Sequence, residues 1–393
     1  MRPRPLVALA LVALASLLAV APASAQDARA ALRRYGCASC HAVESVRVSR
    51  GQSCTGCHQA LVERQRGRGR APTVRHYVNA PDLSVAGSRL REEYLVAFLQ
   101  DPHDARPRLE ETMPRLPVTE ADARILARWI RRDAPTVPAG PAPSRANVEA
   151  GRAVFTRVGC ATCHELGNLD FGRNLPPEAL MGLGRAAYEA PNLRFARERL
   201  DPDVALAWIE DPRAVNPRTQ MPETNLSHAD AILVRDFLWF VDPGAPATPA
   251  RVNLDLSPME RRVRFGEVRR IFDRSCIHCH AHTDGQSASA LGFEPSSLDL
   301  SSLEGVRAGV TLPDGSHRSI LEADDRGLPP LVYRLMRRHE EAARDVTSPR
   351  ADPLAPIART RPDEPVGMPL GLPPVDASDV RLIATWIAQG AQE

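Results

Sequence analysis

Lysine is absent from this chain of 393 residues, so all 50 of its basic side chains are arginines. They are balanced by 48 acidic residues, which leaves a formal net charge of +2. A protein that binds nucleic acid through the phosphates normally needs a strongly basic face. The near-neutral charge therefore argues against a nucleic-acid partner.

Long apolar runs are also scarce. The longest extends from Leu6 to Val20, behind Arg2 and Arg4, and is followed by the small residues Ala23-Ser24-Ala25. A basic start, a short apolar run and small residues are typical of a secretory signal peptide, whereas a membrane span needs about 20 apolar residues. We therefore expect residues 1–25 to be cleaved as a signal peptide. The mature protein is then expected in the bacterial periplasm or outside the cell, without a membrane span.

No cysteine lies outside one short, repeated motif. The eight cysteines form four Cys-x-x-Cys-His motifs. Their residues are Cys37, Cys40 and His41; Cys54, Cys57 and His58; Cys160, Cys163 and His164; and Cys276, Cys279 and His280. On a helical turn this spacing places two thiols and an imidazole on one side. The pattern is typical of c-type haem attachment, in which the thiols add to porphyrin vinyl groups and the histidine ligates the iron.

Two other interpretations of the cysteines explain less. The pairs Cys37/Cys40 and Cys54/Cys57 have nearly the spacing of a four-cysteine zinc site, but zinc gives no reason for a histidine after each pair. A disulfide within each pair would close a small loop and restrict the unfolded chain little. We therefore predict four covalently attached haems c with their iron. Buried porphyrins would also add apolar surface to a chain in which only 5% of residues are aromatic.

Two stretches rich in proline, alanine and glycine, residues 134–145 and 243–254, divide the chain and predict semi-rigid linkers. They separate a first segment (26–133), a second segment (146–242) and a third segment (255–393). Each has the length of an ordinary domain, and the three repeat one another.

The second segment has the clearest order of elements. A helix over Val148 to Val158 leads into the motif, and a helix around Val204 to Ile209 follows a loop. Next come Met221-Pro222 and a last helix opened by a capping pair of Ser227 and Asp230. This order resembles the class I cytochrome c family, which implies a mainly α fold of three tandem helical domains joined by linkers.

The other two segments match this order with differences. In the first segment, Ala80-Pro81-Asp82-Leu83 corresponds to Ala190-Pro191-Asn192-Leu193, and Phe98 to Trp208. The motif Cys54 to His58 is an addition, so we expect a dihaem domain there. The third segment resembles an extended monohaem domain, with a helix from Phe265 to Asp273, a further helix from Leu331 to Arg344 and a last helix capped at Asp376.

The motif histidines are the predicted proximal iron ligands. The family carries its distal methionine before the last helix, so the resemblance implies Met113, Met221 and Met368 as distal ligands, and thioether ligation raises the reduction potential. Met113 could serve either haem of the first segment.

Four haems and three such methionines leave one iron without an assigned sixth ligand. We predict His76 for it, with His103 or an open position as alternatives. The remaining histidines are interpreted as surface or loop residues: His228, His278, His282, His317 and His339.

The sequence predicts electron transfer between a donor and an acceptor redox protein, without substrate turnover. One alternative is a peroxidase-like haem enzyme that uses an open iron. Another is the electron-transfer subunit of a periplasmic dehydrogenase or respiratory complex.

Overall fold

The computed structural model describes residues 25–44, 46, 53–68, 79–103, 105–109, 112–172, 175, 177–244, 253–277, 279–283, 286–287, 298–312, 314–345 and 365–393. These residues are mainly helical and include two short antiparallel strand pairs, so the predicted mainly α character is confirmed. His76, His278 and residues 1–24 of the predicted signal peptide lie outside the described residues. Within the described part, no helix has the length and apolarity to cross a membrane.

The first segment is built on three helices that pack together. Its helices are α1 (Ala25–Arg34), α2 (Cys37–Cys40), α3 (Cys54–Gly67), α4 (Leu83–Ala86), α5 (Glu92–Gln100) and α6 (Glu120–Ile130). The apolar faces of α1, α5 and α6 form the core, with Leu32, Leu95 and Leu126 buried. Thr119 caps α6 by accepting a hydrogen bond from the backbone N–H of Asp122 over 3.1 Å.

The second segment is dominated by two helices that cross closely. Its helices are α7 (Val148–Val158), α8 (Pro177–Gly182), α9 (Arg185–Tyr188), α10 (Ala196–Arg199), α11 (Pro202–Glu210), α12 (Pro212–Val215) and α13 (His228–Phe240). A Cβ on Gly151 of α7 would lie 2.0 Å from the carbonyl oxygen of Leu233 on α13, so glycine permits this approach. Ser227 caps α13, as its spacing to Asp230 predicts.

The third segment adds small elements between its helices. They are α14 (Phe265–Ser275), β1 (His282–Thr283), β2 (Gln286–Ser287), α15 (Leu303–Ala308), β3 (Val310–Thr311), β4 (His317–Arg318), α16 (Pro330–Asp345) and α17 (Ala377–Ala388). β1 pairs with β2 and β3 with β4, both antiparallel. The buried apolar face of α14 packs against α17, where Trp386 is fully buried. Asp376 precedes α17, but its side chain makes no capping hydrogen bond, contrary to the sequence prediction.

The buried hydrophobic residues form three clusters, one in each segment. Leu370 of the third segment packs against the cluster of the first. The first segment also contacts the second, because the backbone N–H of Arg91 donates to the carbonyl of Arg199 over 2.8 Å and that of Asn192 to Ala105 over 2.9 Å. The first segment therefore touches both of the others.

The predicted linker 134–145 does not stand free of the second segment. The N–H of Gly140 donates to Asp203 over 3.0 Å, and the guanidinium of Arg235 donates to the carbonyl of Pro141 over 2.7 Å. Arg235 also pairs with Asp236, and both side chains are fully buried in α13. A buried charge needs such partners, so the linker helps to satisfy the ion pair.

Candidate haem sites

The described motifs share one backbone turn. The N–H of the motif histidine donates to the carbonyl of the first cysteine over 2.9 Å at His41 and over 3.0 Å at both His164 and His280. Before the motifs of Cys37 and Cys160, a glycine at positive φ precedes the turn, Gly36 at 62° and Gly159 at 83°. Glycine adopts this left-handed conformation without strain, which lets the preceding helix stop directly before the first cysteine. The second motif differs because it opens the long helix α3, and its side chains are outside the description.

Two motif histidines are held by a proline carbonyl. Nδ1 of His41 lies 2.8 Å from the carbonyl oxygen of Pro81, and Nδ1 of His164 lies 2.9 Å from that of Pro191. A carbonyl oxygen only accepts, so Nδ1 must carry the proton and Nε2 keeps its lone pair. Burial lowers the pKa of both imidazoles. Each is therefore a neutral, oriented ring whose Nε2 is available to a metal.

The loops that supply these carbonyls are built alike. The N–H of Leu83 donates to the carbonyl of Ala42 over 2.9 Å, and the N–H of Leu193 donates to that of Glu165 over 2.7 Å. The side-chain oxygen of the residue before each leucine, Asp82 or Asn192, accepts a backbone N–H two residues on. These Asx turns fix the loop beside the motif.

A similar loop occurs in the third segment, although the sequence does not repeat the Ala-Pro-Asx-Leu pattern there, and its leucine N–H bonds to the motif histidine and not to the residue after it. The N–H of Leu300 donates to the carbonyl of His280 over 2.8 Å, and Asp299 accepts from the N–H of Ser301 over 2.8 Å. Leu298-Asp299-Leu300 has no proline or alanine to match the other two loops. The remaining signal is Asx followed by leucine, which is weak in a sequence taken alone.

The imidazole of His280 lacks the carbonyl contact of its counterparts. Its Nδ1 is buried without a hydrogen-bond partner. Burial, followed by the positive charge of Arg334, lowers the pKa of His280 to about 4. The backbone oxygen of Arg334 accepts the N–H of Met368 over 2.9 Å. Arg334 therefore links the predicted proximal and distal ligands of the third segment.

The first thiol of each described motif is protonated at neutral pH. Burial raises the pKa of Cys37 and of Cys160 to about 11, and that of Cys276 to about 12. The six described cysteines form no disulfide with one another. Over the described residues, no three side chains among histidine, cysteine, aspartate and glutamate converge as a metal site would require. The cysteines Cys54 and Cys57 of the zinc alternative are not covered by this finding.

One continuous cavity of about 560 Å³ joins the first and second segments. Its size is that of a pocket for a large organic ligand. Two motifs and two predicted distal ligands line it: Cys37, Cys40, His41, Met113, Cys160, Cys163, His164 and Met221. The structure thus brings His41, Met113, His164 and Met221 to one cavity. The side chain of His58 lies outside the description, so its distance from Met113 cannot be compared with that of His41. Which first-segment haem Met113 serves therefore stays open.

Two predicted distal methionines have distinct surroundings within this cavity. The indole Nε1 of Trp208 lies 2.9 Å from the sulfur of Met221, and Thr219 accepts the N–H of Met221 over 3.1 Å. Met113 is half-buried and packs against the core of the first segment. The position that matches Trp208 in the first segment is Phe98, which lines the cavity but offers no hydrogen-bond donor.

Arginines from both segments meet at this cavity. Arg89 lies over the ring of Trp208, 4.7 Å from its centroid, and Arg199 over that of Tyr94 at 5.9 Å. Burial, followed by the charges of Arg199 and Arg106, lowers the pKa of Arg89 to about 9. Nε of Arg199 is buried and makes no hydrogen bond. Such mutually repelling guanidinium groups suit a ligand that carries carboxylates.

The alternative sixth ligand His103 lines the same cavity. Its ring centroid lies 4.3 Å from that of Phe195, and its Nε2 lies 3.4 Å from the hydroxyl oxygen of Tyr94. Elsewhere, the interpretation of His339 as a surface or loop residue is wrong. It lies on α16, is half-buried, and donates from Nε2 to the carbonyl of Val375 over 2.8 Å.

The residues present fit the predicted haem. Neutral imidazoles, thiols on the adjoining turn, methionine thioethers, apolar walls and cationic groups for propionates all line one cavity. Comparisons of the chain with known protein families, with curated proteins and with solved structures found no match.

Proposed function

We propose that this chain is a tetrahaem c-type cytochrome that transfers electrons between a donor and an acceptor protein in the periplasm or outside the cell. It would consist of three tandem domains resembling class I cytochrome c, the first with two haems and the third extended. The observation that carries the proposal is the pair of contacts from His41 Nδ1 to the Pro81 carbonyl and from His164 Nδ1 to the Pro191 carbonyl. They leave Nε2 of each buried ring as the metal donor.

The bound haems would supply the one-electron chemistry. The residues of the chain would hold them and set their potentials. The thiols would anchor each porphyrin covalently, which prevents its loss outside the cell. His41, His164 and His280, together with Met113, Met221 and Met368, would ligate the irons, and thioether sulfur favours the reduced iron. The apolar walls would exclude water, and Arg89 and Arg199 would neutralise carboxylates.

The shared cavity supports transfer between the first and second segments in particular. Both motif turns and both methionines line one continuous space, so the residues that would hold the two haems meet where the two segments touch. Because the first segment also contacts the third, electrons would pass between neighbouring cofactors within one chain.

A reductive titration with absorbance detection, combined with stopped-flow mixing with a small reductant, tests the function. We expect four one-electron transitions and rapid equilibration among the haems. The matched control is Cys160→Ala/Cys163→Ala, which should lose one transition and keep three. Turnover of peroxide by an iron that is high-spin at rest, without transfer to a protein acceptor, would contradict the electron-carrier function and favour the enzyme alternative.

A further inference from the structure

The loops that carry Met113 and Met368 are bonded to each other across the first and third segments. The N–H of Thr112, the residue before Met113, donates to the carbonyl of Gly371 over 2.8 Å. Gly371 has a φ of +67°, and a Cβ there would lie 2.6 Å from the carbonyl oxygen of Thr112. Both the backbone conformation and the close approach therefore require glycine.

A buried ion pair on α16 lies between the two loops. Arg338 and Glu341 are one helical turn apart, and their side chains are only 4% and 5% exposed, with Nη1 and Oε2 3.7 Å apart. Arg338 donates to the side-chain oxygen of Thr112 over 3.2 Å and to the carbonyl of Leu372. One guanidinium thus contacts the residue before Met113 and a residue shortly after Met368.

The carboxylate partner makes the corresponding contacts. Oε1 of Glu341 accepts the N–H of Gly367, the residue before Met368, over 2.7 Å. The backbone oxygen of Glu341 accepts from Arg115, two residues after Met113, over 3.3 Å. Gly367 packs directly on α16, because a Cβ there would lie 2.4 Å from the backbone nitrogen of Arg338. The pair and its helix therefore contact each methionine loop.

Energetics favour one fixed arrangement of this cluster. Two charges removed from water are stable only when their remaining donors and acceptors are satisfied. Here the partners are the backbone of Gly367 and Leu372 in the Met368 loop and the hydroxyl of Thr112 beside Met113, so a shift of either loop would remove a partner from a buried charge. The flat, forked guanidinium carries its donors on separate nitrogens, with Nε directed at Leu372 and Nη2 at Thr112, whereas the three donors of an ammonium group share one nitrogen.

We propose that the Arg338–Glu341 pair is a positioning device that sets Met113 and Met368 together, and so couples distal iron ligation in the first segment to that in the third. The inference rests on the proposed function. The second segment stays outside the device, because Met221 is held by Trp208 and Thr219 within its own segment. The potential of the second-segment haem is therefore an internal reference for the potentials of the two coupled haems.

The test compares two glycine variants of the holoprotein. Gly371→Ala places a methyl group against Thr112, whereas Gly315→Ala carries the same type of strain at a φ of +80° with nothing within 4 Å of its Cβ. Midpoint potentials are measured by redox titration, and sulfur ligation by the long-wavelength absorption band of the oxidised protein. Met221→Leu identifies the transition of the second segment.

We expect Gly371→Ala to shift two of the four potentials and to weaken the sulfur band, while the transition assigned to Met221 and all four potentials of Gly315→Ala stay unchanged. Arg338→Gln should shift the same two potentials, and Arg338→Lys should restore them only in part. If Arg338→Gln does not fold, Thr112→Val takes its place in the test. This variant removes one hydrogen-bond acceptor from Arg338.

A change confined to one haem, or spread over all four, would overturn the coupling. Unchanged potentials in Gly371→Ala and Thr112→Val would overturn it as well. These failures are distinct from failure of the proposed function, which would appear in the wild type as a protein without covalent haem.

Discussion

The indole nitrogen of Trp208 donates a hydrogen bond to the sulfur of Met221 over 2.9 Å. The first segment has Phe98 at the matching position, so its methionine has no such donor from that side chain. A hydrogen bond to sulfur withdraws electron density from the atom proposed to ligate the iron. Two sites that are built alike and share one cavity therefore differ by one donor.

Replacing Trp208 with phenylalanine should lower the reduction potential of the second-segment haem. Without the donor, the sulfur gives more electron density to the oxidised iron and stabilises it. The expected shift corresponds to about 1 kcal/mol, the net worth of one ordinary hydrogen bond. Redox titration measures it, and Trp239→Phe, a change at another tryptophan of the cavity, serves as the control. An unchanged or higher potential in Trp208→Phe would show that the donor does not act on the ligand.

The arginines at the shared cavity should raise the potentials of the first- and second-segment haems. A positive charge disfavours the oxidised iron, so we expect Arg89→Gln and Arg199→Gln each to lower both potentials by an energy on the order of 1 kcal/mol. Arg197→Gln changes an exposed arginine of the same region and should have little effect. Potentiometric titration of each variant measures these potentials. Equal shifts for Arg197→Gln and Arg89→Gln would indicate a general charge effect and no cavity contact.

The buried ion pair of α13 should matter more to stability than surface pairs do. Arg235→Leu would leave Asp236 uncompensated in the interior and remove the donor to the Pro141 carbonyl. We expect a loss of about 3–5 kcal/mol in the free energy of unfolding. Urea unfolding followed by circular dichroism measures it. Arg269→Leu breaks the exposed pair with Asp273 and should cost less than about 1 kcal/mol.

Equal losses in the two arginine variants would contradict this account of the linker. A larger loss in Arg235→Leu would show that the Arg235 charge, which also bonds to Pro141 of the linker, is needed in the interior of the second segment.

Local features of the fold were accessible from the sequence. The helix predicted over Val148 to Val158 has those bounds, and the cap at Ser227 forms as its spacing to Asp230 predicts. Periodicity and capping depend on residues a few positions apart, which a sequence displays directly. The cap predicted at Asp376 fails because its side chain makes no hydrogen bond to the helix.

The joint cavity and the paired methionine loops could not be predicted in this way. They depend on contacts such as Arg91 with Arg199 and Thr112 with Gly371, which join residues more than a hundred positions apart. Nothing in a local pattern specifies which segments meet. The loop at Asp299 escapes the sequence analysis for a different reason. It keeps the Asx turn found at Asp82 and Asn192, but leucine replaces the proline that marks those two loops.

The central claim is tested most directly by counting covalent haem in the protein exported from a cell that matures c-type cytochromes. Intact mass together with haem absorbance under denaturing conditions should give four haems per mature chain. Cys160→Ala/Cys163→Ala and Cys54→Ala/Cys57→Ala should each give three. A mature chain without covalent haem, or one that holds a stoichiometric zinc ion through Cys37, Cys40, Cys54 and Cys57, would contradict it.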